Sequence, residues 1–153
     1  MKLESVDKPF ICFNKKSIES ILPHRGKALN KIDGVFYYSS ASETIRGIKV
    51  VGENDPDLDG HFPGIPTYPG YAQDEFVCLT AASLIPLTCE GLKRDPHVVQ
   101  KTVRYKHSVA PGDTLIAEVR LRERRSRFYM FSAQIKNQRN EIVAEYDKIV
   151  GAV

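Results

Sequence analysis

Residues 59–75 read DGHFPGIPTYPGYAQDE, and this stretch says most about how the chain folds and which chemistry it can carry. Its three prolines restrict the backbone on the C-terminal side of His61, so the loop is expected to be rigid. An imidazole exchanges protons near neutral pH. The stretch therefore predicts a proton-transferring group whose position is fixed by the loop that holds it.

A helical pattern begins at Gly70, directly after this loop. Apolar residues cover most of the segment from Phe76 to Ile85, and a helix that is apolar on nearly all sides lies in a protein interior. We therefore predict a central helix from Gly70 to about Ile85, ended by Pro86. The first amides of a helix lack acceptors and carry a partial positive charge, so the amide at Gly70 can hold a carbonyl oxygen that gains negative charge.

Glu75 lies about one and a half turns into this predicted helix. A carboxyl group among apolar neighbours tends to keep its proton and can deliver it. With His61 as base, Glu75 as acid and the Gly70 amide on the carbonyl oxygen, the three groups match the removal of water from a 3-hydroxyacyl thioester. A single loop histidine or helical glutamate is more often structural, but together on this framework they favour catalysis.

The rest of the chain predicts an antiparallel sheet around the central helix. A short helix with Asn14 as its N-cap and Pro23 at its end precedes the first strand. The predicted strands cover residues 35–40, 43–51, 98–109, 115–122, 128–136 and 142–150. Because the later strands follow one another without helices between them, we expect an α+β fold. We expect one domain over residues 1–153, with a short N-terminal extension at residues 1–13.

Composition and charge exclude several classes of protein. With 42% apolar and 27% charged residues the chain is typical of a globular domain, and a net charge of +3 is too small to argue for nucleic acid. The N-terminal sequence lacks the apolar centre of a signal peptide. The longest apolar stretch, residues 77–89, is too short for a membrane span. We therefore expect a cytoplasmic protein.

The three cysteines, Cys12, Cys78 and Cys89, are far apart in the sequence. Their number is odd and no pair has the spacing of a metal site, so reduced thiols are expected. Cys78 falls in the apolar helix, where a small buried side chain is a better interpretation than a nucleophile.

Arginines crowd the segment from Arg120 to Arg127, at positions 120, 122, 124, 125 and 127. Taken alone, this cluster is best interpreted as a solvated strand end and hairpin. The alternative is a docking patch for an acidic partner.

The quoted stretch resembles the 3-hydroxyacyl-(acyl-carrier-protein) dehydratases of the FabZ/FabA type. The motif of that family is GHFPGxPxxPG followed five positions later by an acidic residue, and residues 60–70 with Glu75 match it. Shorter matches are Leu22-Pro-His-Arg25, Asn54-Asp-Pro56 and Pro111-Gly-Asp113. The similarity spans about residues 18–150.

The resemblance implies a hotdog fold, in which an antiparallel sheet wraps around a long central helix. It implies dimers or trimers of dimers in which His61 of one subunit faces Glu75 of the other, with a heterodimer containing a related subunit as an alternative. The substrate would be an acyl chain on the phosphopantetheine of acyl carrier protein, without a metal or bound cofactor. The residues implied for substrate contact are Phe62, Pro63, Gly64, Tyr68, Gly70, Tyr71 and Leu79. The arginines implied for carrier-protein docking are Arg122, Arg124, Arg125 and Arg127.

The chain departs from the family pattern around the expected pocket. Leu79 stands where the family has glutamine, and Tyr68 and Tyr71 replace aliphatic residues. These changes predict a specialised dehydratase of polyketide-type or other secondary biosynthesis more than one of ordinary fatty acid synthesis. Two alternatives remain, a hotdog thioesterase and a non-catalytic subunit of a heteromeric dehydratase. Hotdog thioesterases lack the His-Phe-Pro-Gly loop that this chain has.

Overall fold

A computed structural model describes residues 15–39, 41–88 and 95–153 of the chain. These residues form two layers, a six-stranded antiparallel sheet and a 19-residue helix packed on one of its faces. The helices are α1 (Lys15–Glu19) and α2 (Gly70–Thr88), with 3₁₀ helices at Gly26–Lys31 and Pro56–Leu58. The strands are β1 (Gly34–Ser39), β2 (Thr44–Val50), β3 (His97–Tyr105), β4 (Thr114–Arg125), β5 (Phe128–Lys136) and β6 (Ile142–Ala152). The predicted α+β class is confirmed.

The strands lie in the order β1-β2-β4-β5-β6-β3, and every neighbouring pair is antiparallel. The hairpins β4–β5 and β5–β6 follow the chain, as the sequence predicts. β3 precedes them in the chain but lies at the far edge, where β6 is its one neighbour among the described strands. The connection from β2 to β3 therefore has to cross the sheet, and α2 makes this crossing over β2 and β4.

The core lies between α2 and the sheet. Phe76 and Leu84 of the helix, and Ile45 and Leu115 of the strands, have no exposed surface. Burying each such side chain contributes about 1.5–3 kcal/mol. Gly47 of β2 lies directly beneath Thr80, and a Cβ at this position would fall far inside van der Waals contact of the threonine side chain. The helix can approach the sheet this closely only because residue 47 has no side chain.

Two predicted helix ends are wrong. α2 continues through Pro86 to Thr88, because a proline removes one helical hydrogen bond and only two residues follow it. α1 ends at Glu19 rather than at Pro23, because the chain tightens there into i→i+3 bonds such as that from the Ile21 amide to the Ile18 carbonyl, 3.0 Å. The predicted N-cap Asn14 and the extension at residues 1–13 lie outside the described residues.

The strands match their predictions to within two residues except at two ends. β4 continues to Arg125, three residues past the predicted boundary. β3 ends at Tyr105, four residues before the predicted boundary at Val109. The amides of Lys106 and His107 both donate to the Val143 carbonyl, at 2.8 and 3.4 Å, and the chain then leaves the sheet. This departure brings the Val109 carbonyl to the amide of Tyr68, which donates to it at 2.7 Å. The two 3₁₀ helices were not predicted.

Candidate active site

The loop that carries His61 is held by its own backbone hydrogen bonds. The His61 amide donates to the Leu58 carbonyl (3.0 Å) and its carbonyl accepts from the Thr67 amide (2.6 Å). Between them, Phe62 and Ile65 exchange amide–carbonyl bonds of 3.4 and 3.2 Å. The predicted rigidity of the loop thus has a physical basis beyond its prolines, since the backbone is bonded on both sides of the imidazole.

Buried ion pairs fasten the segment before the loop to the sheet. Lys49 of β2 lies 2.8 Å from Asp55, and their side chains are only 7% and 4% exposed. The same ammonium group donates to the Asn30 carbonyl at 2.7 Å. Asp57 pairs with Lys31 at 3.0 Å. The base of the His61 loop is therefore tied both to β2 and to the 3₁₀ helix at Gly26–Lys31.

His61 lines a cavity of about 380 Å³ together with Gly70. The imidazole Nδ1 is buried and has no hydrogen-bond partner among the described residues. Neither the Gly70 amide nor the Tyr71 amide has an acceptor in the described part of the chain, as the start of a helix requires. One cavity is therefore lined both by the predicted base and by Gly70, whose amide is predicted to bind a carbonyl oxygen.

Glu75 lines a second cavity, of about 290 Å³, between the middle of α2 and the strands β3, β5 and β6. The walls are largely apolar and include Leu79, Ala82, Phe131 and Ile149. The carboxyl group is half-buried, in agreement with its predicted place near the interior. Within one chain, this cavity does not include His61 among its described lining residues. Among the described residues, the two predicted catalytic groups therefore line two different cavities.

The predicted substrate-contact residues fall into three places. Tyr68 and Gly70 line the His61 cavity, and Leu79 is buried in the wall of the Glu75 cavity. Tyr71 lies beside the imidazole, with 6.5 Å between ring centroids, and its hydroxyl donates to Asp57 (3.1 Å). The residues on the exposed outer surface of the loop are Phe62, Pro63 and Gly64.

The predicted docking arginines are all exposed at the β4–β5 hairpin, and some already have partners. Arg122 donates to the Ser132 hydroxyl (2.7 Å), Arg124 is ion-paired with Glu43, and Arg127 lies over the Phe128 ring at 5.2 Å. The arginines therefore lie on a solvent-exposed strand end and hairpin, as their simpler interpretation predicts. The positive charge of Arg124 is partly compensated by its carboxylate partner.

Cys78 behaves as predicted, since burial, followed by the nearby charge of Glu75, raises the pKa of its thiol to about 12. A thiol with this pKa is a poor nucleophile. Cys12 and Cys89 lie outside the described residues. Within residues 15–39, 41–88 and 95–153, no group of three or more His, Cys, Asp or Glu side chains is arranged to hold a metal ion. None of the helices described there is long and apolar enough to cross a membrane.

Sequence reasoning missed two polar residues that line the His61 cavity and the role of a buried carboxylate beside them. Gln73 and Tyr105 both line the cavity, and the amide oxygen of Gln73 is buried without a partner among the described residues. Asp74 is buried and binds Lys101, Tyr105 and Tyr146 of its own chain. The sequence feature that could have indicated Gln73 and Asp74 is that two polar residues stand together at the start of an otherwise apolar helix.

The model of the ApeI-like family, described as ApeI dehydratase, matches residues 38–146. The chain belongs to this dehydratase family. The FabZ 3-hydroxyacyl-(acyl-carrier-protein) dehydratase of Thermotoga maritima is 38% identical over 103 residues, which cover 67% of this chain and 72% of that protein. The FabZ of Rickettsia canadensis is 31% identical over 131 residues, covering 84% and 89%.

Two solved structures show that the fold is the predicted hotdog. The dehydratase heterocomplex ApeI:P from Xenorhabdus doucetiae superposes with a TM-score of 0.72 at 14% identity, covering 88% of this chain and 89% of that one. A thioesterase superfamily member of Thermus thermophilus gives a TM-score of 0.60 at 14% identity, covering 71% and 79%. Because proteins described as dehydratase and thioesterase share the fold, the function has to be inferred from the site and from sequence similarity.

Proposed function

We propose that the protein removes water from a 3-hydroxyacyl thioester carried on acyl carrier protein, giving the trans-2-enoyl thioester. The observation that carries this proposal is the cavity that His61 and Gly70 line together, where the Gly70 amide has no acceptor among the described residues. Family membership supports the same reaction, since the FabZ relatives are named as 3-hydroxyacyl-(acyl-carrier-protein) dehydratases.

In the proposed mechanism the thioester carbonyl accepts a hydrogen bond from the Gly70 amide. His61 takes a proton from C2, and the electron pair of that C–H bond forms the C2–C3 double bond. Glu75 gives its proton to the hydroxyl group on C3, which leaves as water. The proton on His61 returns to Glu75 through solvent before the next turnover. Each acid–base group is expected to contribute about 10²–10⁴-fold to the rate.

The first test of this proposal uses the reverse reaction, the hydration of an enoyl thioester. The loss of ultraviolet absorbance of the conjugated thioester measures its rate. The variants His61→Ala and Glu75→Gln should each bind ligand and lose at least about 100-fold in turnover. Release of free thiol without hydration would contradict the proposal and favour a thioesterase. An unchanged rate in either variant would remove that residue from the mechanism.

We further propose that the active site forms between two copies of this chain, as dimers or trimers of dimers. Within one chain His61 and Glu75 line separate cavities, so a second subunit is needed to place them opposite each other. The outer edge of β3 supports this arrangement, because no strand of the described part of the chain pairs with it and it exposes Val98 beside the Glu75 cavity. The related solved dehydratase is a heterocomplex, so a related second subunit is the alternative. Activity of the purified chain alone would support the homodimer.

The exposed arginines of the β4–β5 hairpin are proposed to dock the acidic carrier protein. Replacing Arg122 and Arg125 by glutamate should raise KM for a carrier-bound substrate at least about tenfold, because like charges then face each other. The same change should leave KM for a small N-acetylcysteamine thioester unaltered. Arg139→Glu is the control, because Arg139 is exposed at the opposite end of these strands. Equal effects on both substrates, or an equal effect of the control, would contradict docking at the hairpin.

The reaction is proposed to need no metal or bound cofactor, since the His61 imidazole, the Glu75 carboxyl group and solvent account for every proton transferred. Hydration should therefore proceed at the same rate after dialysis against EDTA, and a loss restored by added metal would contradict this. We also propose that the protein works in the cytoplasm. The free, partly buried thiol of Cys78 fits a reducing compartment.

A further inference from the structure

Asp74, one residue before Glu75 near the start of α2, is a buried carboxylate surrounded by hydrogen-bond donors. Asp74 Oδ1 accepts hydrogen bonds from two phenols, Tyr105 at 2.5 Å and Tyr146 at 2.8 Å, and Oδ2 pairs with Lys101. Burial and then the hydrogen bond to Asp74 raise the pKa of Tyr105 above its usual value, so the phenol keeps its proton and donates. The carboxylate thus has donors on both oxygens and ties the edge strand β3 to the helix.

The two phenols differ in what their rings contact. A Cβ built on Gly70 would lie 2.8 Å from Cζ of Tyr105 and 3.1 Å from its hydroxyl oxygen, so the rim of this ring rests against the Gly70 backbone. Tyr105 also lines the His61 cavity and is 48% exposed. Tyr146 is buried and is not among the described residues of that cavity.

We propose that Tyr105, held by Asp74, is a positioning residue that fixes where the first amide of α2 points. The inference rests on the proposed function, in which that amide binds the thioester carbonyl. The ring presses on Gly70 from the side of β3, and the hydrogen bond to Asp74 prevents it from swinging away. Small displacements of a group that stabilises a developing charge lower turnover strongly, while ground-state binding by the rest of the substrate is maintained.

The test compares Tyr105→Phe with Tyr146→Phe. Both variants remove one hydroxyl group from the same carboxylate oxygen, so both should lower the melting temperature by a similar amount. Only Tyr105→Phe frees the ring that rests on Gly70. We expect its kcat for enoyl thioester hydration to fall at least about tenfold with KM within about twofold, while Tyr146→Phe keeps the wild-type kcat.

The amide signals of Gly70 and Tyr71 in ¹H–¹⁵N NMR spectra give a second readout that does not depend on turnover. They should shift in Tyr105→Phe and stay in place in Tyr146→Phe. If the two variants agree in rate and in these shifts while the wild type is active, the positioning role is overturned and the dehydratase proposal stands. If only Tyr105→Phe shifts the amides but the wild type does not hydrate the thioester, the positioning role stands and the proposed function fails.

Discussion

Replacing Lys49 by methionine removes the buried ammonium group beneath the His61 loop. The change leaves the Asp55 carboxylate, 4% exposed, without its ion-pair partner, and the Asn30 carbonyl without this donor. Breaking a buried pair by removing one member costs about 3–5 kcal/mol, because a buried charge is left uncompensated. For a chain of this length each kcal/mol corresponds to about 2–4 °C, so we expect the melting temperature to fall by about 10 °C. The measurement is thermal unfolding followed by circular dichroism, with urea unfolding as a check.

Two further variants show whether the burial of the pair causes this loss. Arg46→Met also removes a cation from β2, but the Arg46–Glu118 pair is 39% and 41% exposed, so its loss should cost no more than about 1 kcal/mol. The double variant Lys49→Met/Asp55→Asn also removes the uncompensated carboxylate charge, and it should recover at least half of the lost stability. A similar loss in Arg46→Met and Lys49→Met, or no recovery in the double variant, would refute the reasoning.

Three other changes have definite expected outcomes. Burial raises the pKa of Asp113, but hydrogen bonds from the Ala110 amide and Gln138 outweigh it, so the folded pKa lies below the ordinary 3.8. The ionised carboxylate therefore contributes to the free energy of unfolding above pH 3.8, and this contribution is lost as the pH falls through the folded pKa. The difference in unfolding free energy between wild type and Asp113→Asn, measured with urea, should become smaller from pH 7 to pH 3. A difference that stays constant would argue against this. Gly47→Ala should cost about 1–3 kcal/mol through overpacking, and Thr80→Ala in the same chain should relieve part of it; strictly additive losses would contradict the close approach. The departures from the family pattern at Leu79, Tyr68 and Tyr71 predict faster turnover of carrier-bound polyene or aromatic 3-hydroxyacyl chains than of saturated ones. A preference for saturated chains in a competition assay would contradict this.

Local patterns in the sequence were sufficient for most of the fold. The apolar segment after Gly70 predicts the central helix, and alternation along residues 115–121 predicts the buried face of β4. These features depend on neighbouring residues alone. The position of β3 at the far edge of the sheet depends on how the whole chain crosses over, so periodicity does not reveal it. The continuation of α2 past Pro86 was missed for another reason, since a proline this near a helix end removes only one helical hydrogen bond.

The candidate residues of the site could be named from the sequence, but their arrangement could not. His61, Gly70 and Glu75 follow from the chemistry that their residue types allow. The cluster around Asp74 did not, because its partners come from β3 and β6, 27 to 72 positions away in sequence. The separation of His61 and Glu75 into two cavities likewise depends on the tertiary structure and not on local sequence.

Mixing two inactive variants tests most directly whether His61 of one subunit works with Glu75 of another. His61→Ala and Glu75→Gln dimers, each inactive alone, are unfolded together and refolded as a one-to-one mixture. In a symmetric dimer with shared sites, half of the refolded dimers are mixed and each has one intact site, so about a quarter of wild-type activity should return. Activity that stays at the level of the separate variants would contradict a catalytic pair shared between two copies of this chain.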